Sequence, residues 1–321
     1  MRSTLVVIQY IPQKGHSPMH HDLEFALSST VLRGRLYYPE FAVGPAPTVI
    51  AHSGIGSVAE GIYELAPFFT EVGLAVLFYD HRGFGYSDGE PRQQIDPWQF
   101  GRDMREVITI LGDRDDVDEN RIAPWGISLG GLVSLFVAGT DLRVAAVVAS
   151  VPPISGWAAR QLFPAEALAG LDEAIAADRR AQLAGAAPSM LQTTGRRSPD
   201  GPPVMFTDEE GIEFTAHYLK LPSFRNELTL SSLDRLFEME VGVYAERIAA
   251  PLFMILATDD TVAPVEDARE MFARVRSEKK LAEYPGQHYG ILTAQYHQIV
   301  QRTAQWLARI LGTQEGDASE I

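Results

Sequence analysis

The stretch RIAPWGISLGGLVSL, residues 121–135, is the most informative part of this sequence, because it joins an apolar strand, a serine between glycines and a helix. A serine at a sharp strand-to-helix turn has a strained backbone, and the residues two positions away must be small to avoid a collision. The amides that open the following helix favour negative charge on an oxygen bound beside the serine. The pattern therefore predicts Ser128 as a nucleophile for acyl transfer.

A second stretch has the same glycine-x-serine-x-glycine pattern, at residues 85–89 with Ser87 at its centre. Its context differs, because Glu90 and Pro91 follow directly and favour a loop rather than a helix. Ser128, by contrast, has a strand before it and a good helix after it. We therefore interpret Ser87 as a turn residue.

The composition is that of an ordinary globular protein. With 321 residues and 46% apolar residues it can form one large domain or two ordinary ones with a sizeable core. The net charge of −15 argues against nucleic acid and anionic membranes as partners. The chain has no cysteine, which excludes disulfides, thiolate catalysis and Cys-ligated metals. The apolar run at residues 5–11 is too short to span a membrane, and we predict a cytoplasmic protein.

Short apolar segments alternate with helical segments through most of the chain, which is typical of a parallel sheet covered on both faces. A hairpin is expected first, at residues 23–28 and 31–38. The predicted strands after it are residues 48–51, 74–79, a strand ending at Ser128, 144–150, 251–257 and 280–284. We therefore predict a mostly parallel eight-stranded sheet, with binding sites at the carboxyl ends of its strands.

The strand pattern stops between residues 152 and 250, and this segment is predicted as a helical lid inserted into the core. The core then comprises residues 23–151 and 251–311, with an N-terminal arm at 1–22 and a polar tail at 312–321. Expected helices cover residues 158–184, 208–219 and 231–248. The aromatic and thioether side chains of the insertion either line an apolar substrate pocket or simply pack on the sheet. The residues we predict to bind substrate are Trp157, Met190, Phe214 and Tyr218, together with Tyr289 of the core.

Two glycine-rich loops follow predicted strands. HSGIGS, residues 52–57, exposes backbone amides that could complete an oxyanion hole; a simple turn or a phosphate loop are the alternatives, and the phosphate loop lacks its lysine. DHRGFGYS begins at Asp80, and Asp80 and Arg82 are either catalytic or an ion pair that locks a turn. We favour the ion pair.

A serine nucleophile needs a base that accepts its proton and an acid that orients the base. Aspartates follow the penultimate predicted strand, in TDDTVAP at 258–264, and His288 follows the last strand, in PGQHYG at 285–290. The order serine, aspartate, histidine is one of the known chain orders of such triads.

These motifs give the chain a resemblance to α/β-hydrolases over residues 23–311. Within that superfamily HSGIGS, DHRGFGYSDGEPR, GISLGG, ATDDTVAP and GQHYG resemble the dienelactone-hydrolase-like branch, which includes fungal polyketide transferases. The resemblance implies His288 as base and Asp260 as acid, with Asp260 preferred to Asp259 because it lies four residues before Pro264.

The same resemblance implies two backbone donors for an oxyanion. One is the amide of Leu129, directly after Ser128. The other is the amide of Ile55 or of Gly54, because Ser53 interrupts the usual His-Gly pair. We favour Ile55.

The expected activity is that of a serine hydrolase cleaving an ester, lactone or thioester with an apolar acyl part through an acyl-Ser128 intermediate. An acyltransferase or cyclase using the same triad is the first alternative. A peptidase and a non-catalytic binding module are further ones. No metal or cofactor is expected. The expected partner is a small apolar acyl substrate, and a homodimer stays open.

Overall fold

A computed structural model describes residues 19–40, 42–163, 165–198 and 201–314. The N-terminal arm therefore lies outside the described residues except for its end, and so does most of the polar tail. Within these ranges the strands are β1 (His20–Ala26), β2 (Val31–Tyr37), β3 (Ala46–His52), β4 (Ala75–Tyr79), β5 (Val117–Ile127), β6 (Val147–Ser150), β7 (Met190–Thr194), β8 (Val204–Phe206), β9 (Glu227–Thr229), β10 (Leu252–Ala257) and β11 (Lys279–Tyr284).

The described residues also form ten α-helices. They are α1 (Ala66–Thr70), α2 (Pro97–Gly112), α3 (Leu129–Ala138), α4 (Gly156–Gln161), α5 (Ala165–Leu183), α6 (Glu209–Tyr218), α7 (Ser231–Phe237), α8 (Val265–Arg274), α9 (His288–Ala294) and α10 (Tyr296–Ile310). Two 3₁₀ segments cover Ala59–Leu65 and Val241–Arg247. No helix of the described residues is long and apolar enough to span a bilayer.

Eight strands form one sheet in the order β1-β2-β4-β3-β5-β6-β10-β11. β2 is antiparallel to both of its neighbours, and all other pairings are parallel. Every residue of β3, β4 and β10 is buried, because helices cover both faces of the sheet. In β3, Ile50 belongs to the core on one face, while Val49 and Ala51 belong to the core on the other. The predicted mostly parallel eight-stranded sheet is confirmed.

The segment between β6 and β10 is not only helical. It contains α4, α5, α6 and α7, but also a three-stranded sheet in the order β8-β7-β9, which the sequence analysis did not predict. β8 and β9 have three residues each, too few to show an alternating pattern. Their pairing is decided by tertiary contact with β7.

The helix expected over residues 231–248 is interrupted. α7 ends at Phe237 and the 3₁₀ segment begins at Val241. Between them the backbone pairs with another chain segment: the Met239 carbonyl accepts from the Gly156 amide at 2.7 Å, and the Val241 amide donates to the Ile154 carbonyl at 2.9 Å. These bonds replace helical ones, so the prediction of a continuous helix is wrong.

The turn after β4 is held differently from the expected Asp80–Arg82 ion pair. The buried Asp80 carboxylate accepts from the backbone amides of Ala59 and Tyr86, at 2.7 and 2.8 Å. Arg82 instead makes two bonds of 2.6 Å to Asp103 of α2, whose side chain is fully buried. The prediction is wrong because the buried Asp103 carboxylate provides the partner for Arg82.

Ser87, the second serine in a glycine-flanked pattern, has a role within the same turn. Its hydroxyl donates to the Asp80 carbonyl at 2.5 Å and accepts from the Arg33 amide at 2.8 Å. The side chain is 1% exposed. These contacts agree with its interpretation as a turn residue.

Candidate active site

Ser128 lies between β5 and α3 in a backbone conformation that few non-glycine residues adopt, with φ 53° and ψ −118°. A methyl group added at Gly126 would lie 2.1 Å from the backbone of Gly130, and one added at Gly130 would lie 2.6 Å from the His52 carbonyl oxygen. Both glycines are therefore required by close backbone approach. The tight turn holds the serine hydroxyl at the carboxyl edge of the sheet.

His288 connects Ser128 to Asp260. Its Nε2 lies 3.0 Å from the Ser128 Oγ, and its Nδ1 lies 2.7 Å from the Asp260 Oδ2. The side chains of His288 and Asp260 are 3% and 2% exposed. Parallel strands bring these residues together, because Ser128 follows β5, Asp260 follows β10 and His288 follows β11. The arrangement can move a proton from a serine hydroxyl to an imidazole that a carboxylate orients.

The structure also distinguishes the two adjacent aspartates. The second carboxylate oxygen of Asp260 accepts from the amides of Val262 and Ala263, both at 2.8 Å, which fixes it in the loop after β10. Asp259 faces away and accepts from the Gly286 amide at 3.1 Å. Asp260 is the aspartate that contacts His288.

Other histidines also lie at strand ends. His52 is the last residue of β3 and His81 follows β4, and their ring centroids lie 4.1 Å apart. Burial lowers the pKa of His81 to about 3 and that of His52 well below its ordinary value. Their rings pack against Tyr79 and Phe100, and His288 is the imidazole within hydrogen-bond distance of Ser128.

Two parts of the backbone face the serine. Leu129 is the first residue of α3, and the amide at that position has no acceptor within its own helix. The loop at 52–57 passes beside it: the Ser53 carbonyl accepts from the Gly130 amide at 3.1 Å, and a methyl group added at Gly54 would lie 3.4 Å from the Ser128 Cβ. Both Gly54 and Ile55 line the cavity beside Ser128, so the choice of Ile55 stays a prediction.

A cavity of about 30 Å³ lies against Ser128 and His288. Three predicted substrate-binding residues line it, namely Phe214, Tyr218 and Tyr289. The structure does not bring Trp157 and Met190 to this cavity. Trp157 lies on α4 with 62% exposure and Met190 begins β7 with 36% exposure, both on the outer surface of the insertion.

The insertion also brings polar side chains that the sequence analysis missed, namely Thr193, Thr194 and Thr215. Thr193 is 5% exposed, and its hydroxyl has no hydrogen-bond partner among the described residues. Two of these threonines come from β7, a strand without a recognisable pattern, so no signal in the sequence identified them. Among the described residues that line the cavity, none is Asp, Glu, Lys or Arg.

The sheet and the serine at its strand-to-helix turn define an α/β-hydrolase. Residues 44–295 match the family described as serine aminopeptidase, S33, and the chain belongs to this family. The predicted fold class and the prediction of a hydrolase are thereby confirmed.

Three similar proteins match most of this chain. A polyketide transferase of Stachybotrys chlorohalonatus is 30% identical over 298 residues, covering 90% of this chain and 97% of that protein. A thiohydrolase of Arthrinium phaeospermum is 31% identical over 283 residues, covering 85% of this chain and 90% of that protein. The crystal structure of an α/β-hydrolase from Penicillium has a TM-score of 0.76 at 27% identity, covering 92% and 99% of the two chains. The resemblance to fungal polyketide transferases is confirmed.

Proposed function

We propose that this α/β-hydrolase cleaves an ester, lactone or thioester of an apolar acyl group through an acyl-Ser128 intermediate. The observation that carries the proposal is the continuous contact from the Ser128 hydroxyl through the His288 imidazole to the Asp260 carboxylate. The serine oxygen attacks the carbonyl carbon while His288 accepts its proton. His288 then donates that proton to the leaving alcohol or thiol as the carbonyl–heteroatom bond breaks.

In the second half of the reaction, water attacks the acyl-serine. His288 accepts a proton from the water and returns it to the Ser128 oxygen as the carboxylic acid leaves. In both halves the carbonyl oxygen becomes negative. The amides of Leu129 and of Ile55 would donate to it, in a site from which bulk water is largely excluded. The Asp260 carboxylate stabilises the positively charged form of His288.

The lining of the cavity supports an uncharged acyl group. Its walls combine aromatic and aliphatic side chains with threonine hydroxyls, and no carboxylate lines it among the described residues. An aminopeptidase would need an acidic group to hold the free ammonium of a peptide. The cavity therefore favours an acyl ester or thioester over a peptide, in line with the thiohydrolase among the relatives.

Transfer to an acceptor other than water is the second candidate. A polyketide transferase is among the relatives that match most of this chain. Ser128 and His288 are only 7% and 2% exposed, so the insertion limits the access of bulk water to the acyl-serine. In an acyltransferase or a cyclase, an alcohol of a second substrate or of the acyl chain itself would replace water.

The test is reaction of the purified protein with a fluorophosphonate probe, with the adduct mapped by mass spectrometry. We expect a label on the peptide that contains Ser128, no label in Ser128→Ala, and none on Ser87, the serine of the other glycine-flanked pattern. Product analysis with acyl esters and thioesters, with and without an alcohol, then separates hydrolysis from transfer. A folded protein that takes no label at Ser128 would contradict the proposal.

A cytoplasmic location and a homodimer stay predictions from the sequence. Size-exclusion chromatography with light scattering tests the dimer, and fractionation of the source cells tests the location.

A further inference from the structure

A hydrogen bond between two hydroxyls connects the insertion to the loop at residues 52–57, beside the nucleophile. The hydroxyl of Tyr218, the last residue of α6, lies 3.1 Å from the hydroxyl of Ser53. Tyr218 is 4% exposed, and its ring lies so close to Gly61 that a methyl group there would come within 2.2 Å of it. The ring and the hydroxyl of Tyr218 therefore have a fixed position against the segment that follows β3.

Ser53 connects the hydroxyl of Tyr218 to the backbone beside Ser128. Its carbonyl accepts from the Gly130 amide of α3, and it directly precedes Gly54 and Ile55. A shift of Ser53 would move the candidate oxyanion donors relative to Ser128. Such donors act through preorganised geometry, so a small displacement weakens the stabilisation of the transition state.

The buried surroundings of Tyr218 favour the hydrogen bond between its hydroxyl and that of Ser53. The ring packs between Phe214 and Phe224, with centroids 5.5 and 5.4 Å away. Burial raises the pKa of Tyr218, and side-chain hydrogen bonds with Ser53 and Ser57 oppose that rise. A buried hydroxyl that loses its partner carries a desolvation penalty, so the contact holds while α6 stays in place.

Helix α6 also contacts the other side of the site. It packs against α9, the helix that His288 begins, and Phe214 lies 5.5 Å from the Tyr289 ring. A cavity of about 30 Å³ is too small for an acyl chain, so substrate entry requires this wall to move.

We propose that Tyr218 is a positioning residue whose hydroxyl, through Ser53, sets the oxyanion loop only when α6 covers Ser128. Closure of the insertion over the substrate and completion of the oxyanion hole are then one event. The inference rests on the proposed serine-hydrolase function. In the sequence His52-Ser53-Gly54, Ser53 then supplies the hydroxyl that Tyr218 contacts, and a glycine at this position would lack that hydroxyl.

The test uses the full chain and a short p-nitrophenyl ester, with Tyr218→Phe, Ser53→Ala and the double variant. We expect each single variant to lower kcat about 10-fold with KM little changed, because the lost interaction acts in the transition state. The double variant should be no slower than Tyr218→Phe alone, since that substitution already removes the contact between Tyr218 and Ser53. Ser53→Thr should restore most of the activity.

Tyr244→Phe is the matched control, because it removes a hydroxyl from another tyrosine of the insertion, and we expect unchanged kcat. Fluorophosphonate labelling of Ser128 should slow in Tyr218→Phe in proportion to kcat. A raised KM at constant kcat, or effects of the two single variants that multiply in the double variant, would overturn the positioning role. Both results leave Ser128 reactive, so they are distinct from failure of the proposed function.

Discussion

The Asp260 carboxylate lies 2.7 Å from Nδ1 of His288, while the carboxylate of the adjacent Asp259 is held by the amide of Gly286. Adjacent residues of the same type therefore have different environments. The loop after β10 fixes the difference, because two backbone amides hold the far oxygen of Asp260.

The different contacts of Asp260 and Asp259 predict different outcomes for substitutions at these two adjacent residues. Asp260→Asn should lower kcat by about 10⁴-fold, because an amide in this position favours the wrong tautomer of His288 and cannot stabilise its charged form. Asp259→Asn should leave kcat unchanged. Steady-state kinetics with one ester measures both. Equal losses in the two variants would contradict the assignment of Asp260.

The turn around Ser128 predicts a strict requirement for glycine at position 130. Gly130→Ala places a methyl group 2.6 Å from the His52 carbonyl oxygen and 2.7 Å from that of Ser53, so the backbone must shift. We expect the free energy of unfolding to fall by about 3 kcal/mol, measured by urea denaturation.

Gly170→Ala is the control for that substitution. Gly170 lies in α5 with no atom within 4 Å of an added methyl group. Alanine should there raise the free energy of unfolding by about 0.5–1 kcal/mol, because it restricts the unfolded chain. Tolerance of alanine at Gly130 would contradict the close approach of the loop at 52–57.

The contact between Arg82 and Asp103 predicts a large loss of stability when the arginine is removed. Asp103 is fully buried, so Arg82→Met leaves a carboxylate without its counter-charge, and we expect a loss of about 3–5 kcal/mol. Arg196→Met removes an exposed ion pair with Glu209 and should cost less than about 1 kcal/mol. Thermal and urea denaturation compare them, and similar losses would contradict the role of burial.

The buried carboxylate of Asp80 predicts a pH dependence of stability. Burial raises the pKa of Asp80 from 3.8 to about 6, against the opposing effect of the amides of Ala59 and Tyr86. The folded state therefore binds this proton more tightly than the unfolded state. The contribution of Asp80 to the free energy of unfolding decreases as the pH rises from about 4 to about 6 and is constant above that range.

The difference in free energy of unfolding between the wild type and Asp80→Ala isolates this effect from other titrating groups. We expect it to decrease by up to about 3 kcal/mol between pH 4 and pH 7. Asp88→Ala is the control, because the Arg33 hydrogen bond lowers the pKa of the exposed Asp88 below 3.8, so its contribution to stability is lost only in more acidic solution and should stay nearly constant between about pH 5 and pH 7. A difference that stays constant with pH would contradict the raised pKa of Asp80.

The motifs of the core could be recognised in the sequence, because each motif depends on residues that are close together in the chain. The glycines around Ser128 are needed for a turn of a few residues, and the apolar strands are buried on both faces. An aspartate at position 259 or 260 and His288 could be selected from their positions after the last two core strands, since parallel strands end at one edge of the sheet. The preference for Asp260 over Asp259 came from the resemblance to α/β-hydrolases.

The sequence predicted the secondary structure of the insertion less well than that of the core. β8 and β9 are too short for a periodic signal, and β7 has no recognisable pattern. The break before Val241 comes from backbone bonds to residues 154–156. Arg82 likewise pairs with Asp103 and not with Asp80, which is nearer in the sequence. The reason is that Asp103 is a fully buried carboxylate that lies within hydrogen-bond distance of Arg82 in the folded chain.

The sheet, the turn at Ser128 and the order of the candidate catalytic residues could be derived from the sequence, because each depends on the type and spacing of neighbouring residues. The contact of Tyr218 with Ser53, the place of Thr193 at the cavity and the exposure of Trp157 and Met190 are visible only in the folded chain. Those contacts join residues distant in the chain, and their formation depends on how the insertion packs over the sheet.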